Sequence, residues 1–140
     1  QYIHQQGPAP QQLAADGVGH VLAQLGPTIG ACGFSSLAAT PAWLATDTAR
    51  AFTRAYIKTR DYMNDASASE IAKAEKPLFP DIDLEVLTDC IATYQAMGCW
   101  TRHIDITQEG YDAMLDIFEY DGKLPHRYSY HQVCAPPPAI

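Results

Sequence analysis

Apolar residues recur at three- and four-residue spacing through the later two-thirds of this chain, whereas the first forty residues hold only short apolar runs punctuated by glycine and proline. From Asp47 to about Asn64 the positions Phe52, Tyr56, Thr59 and Met63 keep helical period, with Arg50, Arg54, Lys58 and Asp61 largely on other faces, which predicts an amphipathic helix. Ser67 followed three residues later by Glu70 has the form of a capping box and opens a short helix to about Glu75, stopped by Pro77 and Pro80. Asp83 starts another, whose stripe of Leu87, Cys90 or Ile91, Tyr94 and Met97 ends at Gly98. Thr107 caps the next, running through Tyr111, Met114, Leu115 and Phe118 to Gly122, and Thr40-Pro41 starts a short one reaching about Ala45.

The front of the chain predicts different elements. Six of the nine glycines fall at or before Gly33, so strands and turns are expected there. Tyr2-Ile3-His4 reads as the end of a strand and Gln11 to Ala15 as a short helix after the proline-rich break. Asp16-Gly17 reads as a turn, and Val18 to Leu25 and Ala31 to Ala39 read as two further strands. Beyond Gly122, Tyr128 to Val133 reads as a terminal strand or an extended tail, and Pro136-Pro137-Pro138 as a frayed end.

Composition restricts the partners more than the fold. With 140 residues and 47% hydrophobic content the chain has the material for one globular domain. A net charge of −7 repels phosphate backbones and anionic headgroups, so neither nucleic acid nor a membrane surface is expected as a partner. The cysteines at 32, 90, 99 and 134 are too scattered for a disulfide scaffold and leave the compartment open. The chain begins at Gln1 without a targeting segment and reads as a mature product or a fragment.

Three stretches carry a resemblance: Gln5-Gln6-Gly7-Pro8-Ala9-Pro10-Gln11-Gln12-Leu13, the run from Leu25-Gly26-Pro27 to Phe34-Ser35-Ser36-Leu37-Ala38, and Phe79-Pro80-Asp81-Ile82-Asp83 with Tyr94-Gln95-Ala96-Met97-Gly98-Cys99-Trp100. Together they resemble the C-terminal part of the solute-binding proteins of ABC importers that take up nitrate, sulfonates, taurine and thiamine-pyrimidine precursors. The resemblance implies an α/β, periplasmic-binding-protein-like two-lobed fold, incomplete without upstream segments. In that layout residues 1–29 end the second lobe, 30–34 form a hinge strand, and 35–140 return to the first lobe. It further implies a periplasmic or extracytoplasmic protein that captures a small polar molecule and catalyses nothing. An ABC permease is then a partner, and the remaining N-terminal part of the same protein or a second copy completes the sheet.

Under the same resemblance Gln6 stands where relatives present an aromatic to the ligand and Gly7 where they present an acid, so amide hydrogen bonding by Gln5 or Gln6 replaces stacking there. Phe34 and Ser35 emerge beside the cleft, and Gly30 and Gly33 are the hinge positions. A solvated loop for the glutamines, core packing for Phe34 and a tight turn for the glycines are the plain alternatives. Histidines at 4, 20, 103, 126 and 131 lack the paired spacing of a zinc site, so no metal or other cofactor is expected. Cys32, between Ala31 and Gly33, has small neighbours but no identifiable base, and no glycine-rich phosphate motif occurs. Tyr56, Tyr94, Tyr111 and Phe118 fall on helical stripes and read as core. The reading from a different class is a small helical protein–protein interaction module, with the front segment as an arm.

Overall fold

The computed structural model describes all 140 residues and contains helices, turns and irregular segments but no β-strand. The helices are α1 (Ala9–Ala15), α2 (Gly26–Ile29), α3 (Pro41–Leu44), α4 (Asp47–Asp65), α5 (Ala68–Glu75), α6 (Leu84–Ala96), α7 (Gln108–Tyr120) and α8 (Tyr130–Val133), with a 3₁₀ turn at Lys76–Leu78. This overturns the α/β two-lobed expectation. A strand is stable only when its backbone donors and acceptors meet a neighbour, and none of Tyr2–His4, Val18–Leu25 or Ala31–Ala39 forms a ladder with another segment, the Gly33 N–H to Gly110 carbonyl bond being an isolated one. Their side chains remain largely in solvent, with Val18 and Leu22 more than 70% exposed. No helix is long and apolar enough to cross a membrane.

The chain divides into two compact units, Gln1–Thr28 with Asp61–Thr101 and Ile29–Arg60 with Arg102–Ile140. In the first, Ile71, Ala72, Leu87 and Ile91 form the buried core where α5 packs on α6, and Met63, Phe79, Ile82 and Trp100 pack around it. Polar side chains fasten the elements to that core. Gln12 of α1 accepts from the Asp83 backbone N–H at 2.9 Å and donates to the Asp83 carboxylate at 3.2 Å, capping α6 from a distant part of the chain. Gln95 donates to the carbonyls of Met63 (2.9 Å) and Ala66 (3.0 Å), satisfying acceptors at the C-terminal end of α4. The Lys76 ammonium donates to the carbonyls of Phe79, Pro80 and Ile82 at 3.2, 2.9 and 2.7 Å, drawing the loop that leads into α6 around one cation.

Ser67 and Glu70 form the reciprocal cap expected of them: the Glu70 carboxylate accepts from the Ser67 N–H at 3.0 Å and from its hydroxyl at 2.7 Å. Those two bonds, the side-chain one foremost, hold the Glu70 carboxyl below its ordinary value of 4.5. A carboxyl lowered on folding stabilises the folded state above the ordinary value, and that contribution is lost as the pH falls through the lowered folded value. Wild-type protein is therefore expected to lose more stability than Glu70→Gln on acidification below about pH 4.5. Parallel urea titrations at pH 6 and pH 3 check this, and equal losses would disprove it.

Burial pushes the Cys90 thiol up, and the nearby Glu75 charge adds to the effect. Cys90 is 3% exposed whereas Cys99 is open to solvent. A thiol-labelling time course with mass-spectrometric site assignment should thus show Cys99 modified early and Cys90 only when the protein unfolds.

In the second unit the Thr40 hydroxyl accepts from the Trp43 N–H at 3.2 Å, so α3 starts where Thr40-Pro41 predicts. On α4 the expected stripe is only partly inward. The buried residues are Ala49 and Thr53, and Phe52 is 46% exposed. Phe52 instead builds a surface ladder with Trp43 (edge-on, 5.9 Å) and Tyr56 (stacked, 6.1 Å), and the Arg60 guanidinium lies 5.4 Å from the Tyr56 ring. The small side chains of Ala49 and Thr53 explain the rotation: Thr53 turns its hydroxyl onto the Ala49 carbonyl at 2.9 Å, which leaves a flat face suited to close packing.

Candidate binding cleft at the C-terminal strap

The second unit contains a cleft of about 430 Å³ lined by Asp105, Tyr130, His131, Cys134, Pro136 and Pro137. The strap that forms it rests on α7. Thr107 caps that helix by accepting from the Gly110 N–H at 3.1 Å. Gly110 is buried, and Gly33 docks on it, donating its N–H to the Gly110 carbonyl at 2.9 Å. A Cβ at Gly33 would approach Ile106 Cγ2 to 3.0 Å, so an alanine there would require the Ile106 side chain to shift.

Residues 126–134 then return across α7 as a strap. Arg127 donates to Asp116 at 2.6 Å and Glu119 at 2.8 Å, and to the Asp112 carbonyl at 3.3 Å. These carboxylates, Asp116 first, raise the Arg127 guanidinium further above its already high value. Farther along, the Tyr111 hydroxyl donates to the Tyr128 carbonyl at 2.9 Å and the Tyr130 hydroxyl to the Ile106 carbonyl at 2.6 Å. The two rings meet edge-on at 5.9 Å. α8 forms as one short turn because the Gln132 side chain accepts from the Ser129 N–H at 2.9 Å and from its hydroxyl at 2.8 Å. That turn replaces the strand or extended tail expected over Tyr128 to Val133, and it sets Tyr130, His131 and Cys134 around one hollow.

Chemically the cleft is mixed. Tyr130, Pro136 and Pro137 supply flat apolar walls, and proline's locked φ stiffens one of them. Asp105 supplies a carboxylate whose Oδ1 lies 3.2 Å from His103 Nδ1. Burial pushes the Cys134 thiol up. A second hollow, at Val21, Leu22, Ala23, Gln24 and Pro27, has no ionisable side chain to orient a ligand.

The residues singled out in the sequence lie elsewhere. Gln5 and Gln6 are exposed on an irregular segment of the first unit. Phe34, 61% exposed, and Ser35 belong to the second unit with Gly30 and Gly33, and none of the four lines the cleft. Gly30 has φ +82, a conformation that favours glycine. The strap residues escaped notice because the aromatic run from Tyr128 resembles a strand. The Ser129-x-x-Gln132 spacing, one of the few local signals for a helical turn there, could have revealed α8.

Comparison with known proteins adds one relative. Over 135 residues the chain is 25% identical to the Bacillus subtilis (strain 168) protein named "Putative binding protein YtlA". The aligned region covers 95% of this chain and 40% of that protein. No family model and no solved structure matches the chain.

Proposed function

We propose that this chain is part of a binding protein that captures a small polar molecule, of sulfonate, nitrate, taurine or pyrimidine-like type, for an ABC importer. The carrying observation is the similarity to a protein named as a binding protein along 95% of the chain. The strap cleft offers a place for such a ligand, a shallow hollow in which an apolar ring and two prolines stand beside a carboxylate and an imidazole. In this reading the ligand is released unchanged on the outer side of the cytoplasmic membrane and handed to a permease. The rest of a longer polypeptide, or a second copy, covers the exposed apolar residues between Tyr2 and Leu25.

The test is a thermal-shift panel of nitrate, taurine, alkanesulfonates and pyrimidines. A ligand at about 100 times its Kd adds about 2.7 kcal/mol to the folded state, which a melting curve resolves. No rise with any compound would refute the reading. The all-helical architecture and the exposed Trp43–Phe52–Tyr56 ladder favour a second reading, a helical protein–protein interaction module. Such a module would bind a folded partner and leave the whole panel without effect.

A further inference from the structure

Charge and shape in the strap cleft distinguish among ligand classes. Resting on the binding reading above and selecting among the ligand types it names, we infer that the cleft takes a small organic amine or amidine cation carrying a flat ring, in preference to nitrate or a sulfonate. Asp105 is the lining residue that carries a carboxylate, and His103 engages its Oδ1, leaving Oδ2 open for a ligand donor. Such a charge-assisted bond is among the stronger polar contacts a shallow site offers. The Tyr130 hydroxyl is committed to the Ile106 carbonyl, so what Tyr130 presents to a ligand is its ring. A ring wall attracts cations and stacks on planar groups. Pro136 and Pro137 add apolar surface for the ring to cover. An anion would instead meet the Asp105 carboxylate within a chain of net charge −7.

The probes are benzamidine, a flat-ringed cation, and benzenesulfonate, an anion of similar shape. Each is titrated into the protein while the His131 and Tyr130 ring resonances are followed by NMR, with melting temperature recorded in parallel. Benzamidine is expected to move both rings saturably, and Asp105→Asn to weaken it about tenfold or more. Asp81→Asn, which removes an exposed acid in the other unit, should leave the affinity unchanged, and the amide spectrum reports whether each variant is folded.

Equal affinity of wild type and folded Asp105→Asn overturns the inference, as does benzenesulfonate binding as tightly as benzamidine. If an anion of the panel raises the melting temperature and moves His131 or Tyr130, this inference falls while the binding reading stands. If neither probe nor any compound of the panel binds, both fall.

Discussion

Ile71→Ala is expected to lower the unfolding free energy by about 3 kcal/mol, the largest effect of any single substitution considered for this chain. Ile71 is 1% exposed, the largest side chain so completely buried, and it lies in the cluster with Ala72, Leu87 and Ile91. Truncation removes its transfer free energy and leaves a void that the α5–α6 contact fills only in part. Phe52→Ala removes a bulkier side chain but is expected to cost only about 1 kcal/mol, because nearly half of the ring already faces water. Urea unfolding of both variants, followed by helix signal, provides the comparison. A smaller midpoint shift for Ile71→Ala than for Phe52→Ala would mean that the helices pack differently from the arrangement described.

That comparison also marks where sequence pattern stops being informative. Helix starts at Thr40, Ser67 and Thr107 were legible because a cap is a bond between residues three apart, and all three are made. Helix ends at Gly98 and Gly122 were legible for a similar reason, with φ of +67 and +69. Which face of α4 turns inward was not. Periodicity marks a stripe centred on its largest apolar residues, while packing selected the small face at Ala49 and Thr53.

The predicted strands failed on the same ground. Val18–Leu25 has strand-like composition, but β structure depends on a partner that no local pattern can specify, and this chain provides none. The cleft was the least legible feature. It depends on Tyr130 reaching Ile106 and Arg127 reaching Asp116, contacts spanning 24 and 11 residues. A tyrosine-rich tail gives no sign of where it docks.

Phe79-Pro80-Asp81-Ile82-Asp83, prominent in the sequence as part of a resemblance, has a specific structural basis that leads to the second large effect. The loop is turned by the Lys76 ammonium, which donates to three of its carbonyls, while the Ile82 N–H donates to the Phe79 carbonyl at 3.2 Å. Lys76→Met keeps the aliphatic stem and removes the donors. The Phe79 carbonyl then retains a partner, but the part-buried Ile82 carbonyl loses the shortest bond of the set. Hydrogen bonds to a charged group contribute about 1.5–3 kcal/mol, so a loss of about 2 kcal/mol is expected. The acceptors are neutral carbonyls, and this separates the loop from a surface ion pair: the loss should persist in 1 M salt, which would screen a charge–charge contact. Unfolding midpoints of wild type and Lys76→Met at low and high salt measure both quantities. A loss below about 0.5 kcal/mol, or one abolished by salt, would show that the ammonium does not hold the loop.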